Sequence, residues 1–406
     1  MFSNSFLVAV SALSALAVAS PIASEQQGLT FSLTRQATVH KSKVSPAMLA
    51  MRVHDKYNVA PSAELVAALS SQEGSVNATN IEEVTYNVPL TIGSQTFNLI
   101  FDTGSSDLWV YSNRLPSSET AGHDVYKPGK TASLMKGSTF KISYVGGDAA
   151  TGLVYADKVA FGAATVTRQA VEAATSINKA AVQQFNEGES DGILGMASSH
   201  LNTIRPTQQT TLFDTIKSSL ASPVFTTKFL KLADGAIDFG FIDSSKYVGN
   251  ITYVPVNPSP GFWRFHVGGY SIGSTAGTAR ATIGACIADT GTSLMYLPNA
   301  VVSEYWARVK GAAYDKTQHA WLFPCSHASS LPDFNLDIAG GHTVTVPGEE
   351  MNLGQVTQGS AKCYGGLQNS NGEKLNILGD VFLRASFMVW DRTESVPRLG
   401  FAKPNY

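Results

Sequence analysis

Two short segments of this chain carry the same set of reactive groups. Asp102-Thr-Gly-Ser-Ser106 and Asp289-Thr-Gly-Thr-Ser293 are nearly identical, and each follows an apolar run, Leu99-Ile-Phe101 in one case and Ile287-Ala288 in the other. At nearly equal distance downstream of each comes Ile-Leu-Gly, at Ile193–Gly195 and Ile377–Gly379. A single Asp-Thr-Gly is an ordinary turn or helix cap. A matched pair with matched surroundings reads as one unit repeated in tandem. Equivalent loops of a duplicated unit meet about a pseudo-twofold axis, which sets Asp102 against Asp289. Two carboxylates so close cannot both ionise cheaply, so they share a proton and titrate together. The ionised member can take a proton from a water between them while the other gives its proton to a carbonyl oxygen. The water oxygen adds to the carbonyl carbon, and the diol collapses as a proton passes to the departing nitrogen. That chemistry is amide hydrolysis, and it needs neither cofactor nor metal.

The neighbouring residues suit this picture. Gly104 and Gly291 are expected to let the backbone turn sharply and to present an N–H to a carboxylate. Thr103 and Thr290 can bond across the two halves, and the hydroxyls of Ser105 and Thr292 can orient the outer carboxylate oxygens. Zinc-protease and redox chemistry lack their motifs, since H-E-x-x-H and C-x-x-C are both absent. The eight histidines are scattered.

To set two such loops face to face, the chain must build two lobes of roughly 150–170 residues each. Pro255 to Gly261, with its three prolines, is the natural boundary between them. The expected lobes are 71–255 and 256–406. Only 15% of the 406 residues are charged, 35 are glycine, and short runs rich in Val, Thr, Phe and Ile recur. This composition points to an all-β protein with many turns.

The stretch before the first lobe is different. Phe6 to Ala19 is apolar and uncharged and ends in Ala17-Val-Ala19, the pattern of a signal peptide cleaved after residue 19. No later run is long enough to span a membrane, and the C-terminal residues offer no tail for a lipid anchor. The product is expected outside the cell. Residues 20–70 set Arg35, Lys41, Lys43, Arg52 and Lys56 against Glu25, Asp55 and Glu64, a basic leader on an acidic body. It reads as a propeptide. A pI near 6.4 gives no sign of nucleic-acid binding. Of three cysteines, Cys325 and Cys363 lie in polar segments near Gly or Pro and are the expected disulfide, whereas Cys286 lies in the apolar run Ile283–Ala288. Asn77 and Asn250 head glycosylation sequons.

Phe101-Asp-Thr-Gly-Ser-Ser-Asp-Leu-Trp-Val110, Ala288-Asp-Thr-Gly-Thr-Ser-Leu294, Asp191-Gly-Ile-Leu-Gly195 and Asn376-Ile-Leu-Gly-Asp-Val-Phe382 together resemble the pepsin family, and more narrowly its secreted fungal members similar to penicillopepsin and aspergillopepsin. The resemblance runs from about residue 80 to the C-terminus, and more loosely over the leader. It implies a bilobal fold of two β-barrel-like lobes around a central cleft. The implied activity is that of an acid endopeptidase made as a zymogen, acting as a monomer on protein or peptide substrates and blocked by pepstatin-type inhibitors. Ile142–Asp148 would be a flap hairpin, with Tyr144 as its tyrosine, Val145 and Gly146 at its tip and Trp109 as the partner of Tyr144. Ile100, Tyr144, Phe185 and Ile193 would line the pocket for the residue before the cut, with Ile287 on the other side. Lys56-Tyr57 resembles the leader pair that occupies the site in zymogens, and Cys325–Cys363 matches the second-lobe disulfide. One departure stands out. Fungal relatives commonly carry an acidic residue where this chain has Gly146, so weak cleavage after lysine is expected. A non-catalytic binding protein on the same fold is the rival reading, but such proteins tend to lose an aspartate or the flap tyrosine, and both are present here.

Overall fold

The computed structural model describes residues 28–39, 46–57, 59–72, 82–144, 147–161, 164–178, 190–231, 233–259, 261–273, 282–339, 342–357, 359–370 and 375–406. The expected signal peptide, residues 1–19, and Asn77, Val145, Gly146 and Phe185 lie outside the described residues, as does the side chain of Tyr144.

Strand β1 (Leu29–Val39) lies in the N-terminal stretch expected to be a leader. The first half of the body supplies β2 (Glu82–Ile92), β3 (Gln95–Asp102), β4 (Leu108–Val110), β5 (Ser133–Tyr144), β6 (Gly147–Phe161), β7 (Ala164–Ile177) and β8 (Gly192–Gly195). These eight continue a 13-stranded sheet, in the order β1-β2-β3-β8-β4-β7-β6-β5. Its other end is made by Tyr247–Pro255, Arg398–Pro404, Phe387–Asp391, Val224–Lys228 and Gly235–Phe239. Smaller sheets of five, four and three strands form the second half. The architecture is all-β and bilobal, as the composition and the repeat predict.

The two copies of the repeat fold alike. In the first, β8 lies between β3 and β4, parallel to β3 with Asp102 opposite Gly195, and antiparallel to β4 with Leu108 opposite Leu194. In the second, Asn376–Leu378 lies between Gly284–Ala288 and Met295–Leu297, parallel to the former with Ala288 opposite Leu378 and antiparallel to the latter. Short continuous apolar runs such as Gly192–Gly195 suit strands buried on both faces, which explains why Ile-Leu-Gly recurs beside each aspartate.

The N-terminal segment is built into the rest of the fold. β1 pairs with β2 and with Gly235–Phe239, so Thr34 sits opposite Asn87 and Leu29 opposite Phe239. Helix α1 (Pro46–Lys56) follows, with Pro at its first position and His54 and Lys56 in its last turn. Its Ala47, Leu49, Ala50, Met51 and Val53 are buried, and it packs on β5 and on helix α2 (Ala63–Gln72). The expected lobe boundary falls where Tyr247–Pro255 pairs with Arg398–Pro404, and Val256 N–H donates to Pro397 O at 2.8 Å. The chain therefore leaves the first half through strands shared with the last residues of the second.

Cys325 and Cys363 are joined, with Cα atoms 5.0 Å apart. Cys286 is free and fully buried, and burial pushes its thiol up, so it packs as a small apolar side chain. Among the described residues, no helix is long and apolar enough to cross a membrane.

Candidate active site

Each aspartate ends or follows a buried strand and sits at the start of a loop fixed by backbone bonds. Met196 N–H donates to Asp102 O at 2.7 Å, and Asp289 N–H donates to Leu378 O at 3.1 Å. The threonines interlock across the halves. Thr103 N–H donates to Thr290 Oγ1 at 2.9 Å and Thr290 N–H to Thr103 Oγ1 at 3.1 Å, while the hydroxyls donate onward to Ala288 O and Phe101 O at 3.2 and 2.6 Å. Both N–H groups and both hydroxyls of this buried crossing have partners, so the two loops are held in one relative position.

Both carboxylates receive the same donors from their own loops. Gly104 N–H reaches Asp102 Oδ1 at 2.8 Å and Ser105 Oγ donates to Asp102 Oδ2 at 2.5 Å. Gly291 N–H reaches Asp289 Oδ1 at 2.9 Å and Thr292 Oγ1 donates to Asp289 Oδ2 at 2.5 Å. The reason for the glycines differs from the sequence expectation. Neither is among the glycines with positive φ. Instead, a Cβ on Gly104 would overlap Asp289 Oδ1, and one on Gly291 would overlap Asp102 Oδ1. Glycine is required because each loop lies directly against the opposite carboxylate.

Lys56 and Tyr57, at the end of α1, complete the site. Lys56 Nζ lies 2.8 Å from Asp102 Oδ1 and 3.0 Å from both oxygens of Asp289. Tyr57 hydroxyl donates to Asp289 Oδ2 at 2.7 Å. Burial works against the Lys56 ammonium, but Asp102 and Asp289 outweigh it and hold its pKa above the ordinary value. Burial, then Asp289, lifts the Tyr57 hydroxyl well above its usual range. Burial also raises Asp102, in spite of Lys56. At Asp289 burial acts in the same direction, but Lys56, Thr292 and Tyr57 overcome it and hold the carboxyl below its ordinary value. The asymmetry follows from the contacts, since Tyr57 serves Asp289 alone.

Ile100, Ile193 and Trp109 are buried in one apolar cluster with Phe140 and Ile142. Tyr144 and Gly147 face each other at the end of the β5–β6 hairpin. On the other side, Ile287 lines a cavity of about 240 Å³ with Tyr57, Phe262, Arg264, Ala285, Leu375 and Asn376. The ring of Phe262 meets that of Tyr57 edge-on at 4.8 Å. Behind the loops, Trp263 Nε1 donates to Met196 O at 3.0 Å and its ring packs on Trp390. Phe262, Trp263 and Arg264 escaped the sequence reading because they follow directly on the prolines taken as a boundary. Asn250 is exposed. Gly269-Tyr-Ser-Ile-Gly273 spells the G-x-S-x-G of serine hydrolases, but Ser271 is buried within the strand Gly269–Ile272 rather than on a strand-to-helix turn. Among the described residues, no cluster of His, Cys, Asp and Glu is arranged to hold a metal ion.

Comparison with known proteins agrees with this geometry. The family model for eukaryotic aspartyl proteases matches residues 85–404. The chain is 44% identical to aspergillopepsin-1 of Aspergillus clavatus over 97% of both chains. It is 41% identical to penicillopepsin-3 of Penicillium janthinellum over 96% of both. Among solved structures, it is similar to an aspartic proteinase from Irpex lacteus, with a TM-score of 0.65 and 25% identity over 79% of this chain and 95% of the other. Two interlocked Asp-Thr-Gly loops on a duplicated all-β frame, matched nearly end to end by such relatives, place the chain in the eukaryotic aspartyl protease family, as an aspartic endopeptidase.

Proposed function

We propose that the chain is a secreted zymogen whose Asp102 and Asp289 hydrolyse internal peptide bonds of proteins at acidic pH. In this reading residues 1–19 are a signal peptide, 20–70 an inhibitory leader, and 71–255 and 256–406 the two catalytic lobes. The observation that carries it is the position of Lys56 Nζ, within 3.0 Å of both carboxylates. An ammonium there stands where a water between the carboxylates would have to lie, so the site is neutralised and filled at once. When the leader leaves, water takes that place. One carboxylate accepts its proton, the other protonates the substrate carbonyl, and Gly104 and Gly291 N–H with Ser105 and Thr292 hydroxyls keep the carboxylates oriented throughout. Bulky apolar side chains flanking the cut would meet Ile100, Ile193 and, from the flap, Tyr144 on one side and Ile287 and Phe262 on the other.

The contacts of Asp289 favour release by acid. Lys56 keeps its proton throughout, so the titrating partners are the carboxylates. Asp289, with a depressed pKa, contributes docking strength above the ordinary carboxylate value, and this is lost as pH falls through the depressed value. Asp102, with a raised pKa, works the other way, because the docked form takes up its proton more readily, so release by acid rests on the contacts of Asp289 with Lys56 and Tyr57. The test is to acidify the purified precursor without added protease and to follow its mass and peptidase activity. Conversion to a shorter chain with a new N-terminus near residues 66–78, and activity blocked by a pepstatin-type inhibitor, is expected. A precursor that stays full length and silent contradicts the reading. Gel filtration of the product as a monomer belongs to the same proposal.

A further inference from the structure

Behind the loop that carries Asp102 lies a second pair of buried acids that takes no part in the dyad. Asp107 is 5% exposed and Glu172, on β7, is 1% exposed. We propose that Asp107 and Glu172 hold a proton between them, and that this protonated pair, joined to Asn202, is a positioning device that fixes the Asp102 loop only under acidic conditions. This goes beyond the dyad reading and leans on it only for its consequence in catalysis.

The hydrogen bonds of Asn202 show why a proton is needed. Its Oδ1 accepts from Ile204 N–H at 3.2 Å and from Gln209 N–H at 2.9 Å, so the amide cannot be turned around. Its Nδ2 must therefore face three acceptors, Ser106 O at 3.2 Å, Asp107 Oδ1 at 2.8 Å and Glu172 Oε1 at 3.1 Å. Two N–H hydrogens cannot fully satisfy three acceptors. Asp107 Oδ1 has further donors in Thr203 N–H and hydroxyl, at 2.8 and 3.2 Å. Glu172 has none, and its Oε2 is buried without a donor. Among the described residues, no cation is in contact with either carboxyl. Arg205 directs its guanidinium to Asn202 O and Ile204 O at 2.9 and 2.8 Å and acts on Asp107 only through space. The strands beside Glu172 bring Val154 and Trp109 opposite it, neither of them titratable. Two ionised carboxylates here would be an uncompensated buried charge. A proton on Glu172 removes one charge and supplies the missing donor, toward Asp107.

The titration directions agree. Burial holds Asp107 up to about 6 and, with the neighbouring Asp107, pushes Glu172 well above the carboxylate range. Between the ordinary carboxylate values and these, the folded chain binds more protons than the unfolded one, so stability falls as pH rises. The connection to the dyad loop is short. Asn202 holds Ser106 O, Gly195 N–H donates to Asp107 O at 2.9 Å, and Ala197 N–H donates to Ser105 O at 2.8 Å. Ser105 is the residue whose hydroxyl orients Asp102.

The test is the pH-unfolding curve of the full-length precursor, followed by tryptophan fluorescence from acid to alkaline pH, for the wild type and for Glu172→Gln. The amide keeps the donor and has no proton to lose. We expect the alkaline midpoint to rise by at least one pH unit, while at pH 4 the variant is no more stable than the wild type, so that the two stability curves cross. A simple packing role would displace the whole curve by the same amount at every pH, and an unchanged midpoint or a parallel displacement overturns the proposal. Should Glu172→Gln fail to fold, infrared spectroscopy of the Asp102→Asn precursor, which lacks the raised carboxyl of the dyad, decides the matter when compared with the same precursor carrying Asp191→Asn, because Asp191 is also raised. A protonated-carboxyl band that persists above pH 6 and vanishes with unfolding supports the shared proton, and its absence at pH 6 overturns it. Neither readout depends on peptidase activity, so failure here leaves the assignment of Asp102 and Asp289 untouched.

Discussion

Replacing Lys56 by methionine should turn a silent precursor into one that leaks activity near neutral pH. The ammonium makes three contacts of 2.8 to 3.0 Å with two carboxylates that are 3% and 0% exposed, and its own side chain is 9% exposed. Removing one partner of so buried a pair costs about 3–5 kcal/mol, because the remaining charges are left without compensation. The dyad can relieve part of this by taking up a proton, so the lower end applies. That lower end corresponds to about a hundredfold weaker docking of the α1 end over the cleft. Tyr57 and β1 still hold the leader, so it should open in place rather than depart. The assay compares initial rates on a fluorogenic peptide with apolar residues around the cut, at pH 6, for wild-type and Lys56→Met precursors, each with Asp289→Asn as a blank. The variant should show at least tenfold more turnover than the wild type, and its activity should depend far less on prior acidification. A Lys56→Met precursor as silent as the wild type at pH 6 would refute the idea that this contact blocks the site.

Gly291→Ala should lower kcat by about a hundredfold, since the new methyl overlaps Asp102 Oδ1 and displaces a catalytic group. The associated loss of stability should be about 1–3 kcal/mol, read from urea unfolding. Exchanging Cys325 and Cys363 together for serine should remove about 4 kcal/mol, given a closed loop of 38 residues, with no change in KM at low temperature. Gly146→Asp should raise cleavage after lysine relative to phenylalanine by about 5- to 150-fold, the equivalent of 1–3 kcal/mol for a desolvated charge pair. Two peptides differing only at that residue measure it.

Much of the site was legible because it is duplicated. Asp102 and Asp289 announce each other through matched neighbours, and equivalent strands flank Ile193–Gly195 and Ile377–Gly379. The role of glycine was misread because a sequence shows a residue's freedom but not the atom lying against it. Only the folded chain brings Gly104 to Asp289 and Gly291 to Asp102. Phe262 and Trp263 were invisible for a related reason. Prolines before them signal a linker, yet the backbone at Gly261 bonds to Ser198 and brings both rings under the cleft. The place of β1 between β2 and Gly235–Phe239 depends on a pairing across some two hundred residues, which no local pattern encodes. Glu172 reads as a polar residue on a strand until the sheet sets it beside Trp109 and, through Asn202, beside Asp107.

The central claim is that one carboxyl from each copy of the repeat performs the hydrolysis. Its most direct test is turnover by Asp102→Asn and by Asp289→Asn, each freed of its leader by an added protease and each checked for wild-type circular dichroism. Asparagine keeps the shape and the acceptor oxygen facing Gly104 or Gly291 N–H, but it can neither accept nor share the proton. Both folded variants should fall to the blank rate across the acid range. Substantial turnover by either one, in a sample free of wild-type enzyme, would contradict the account.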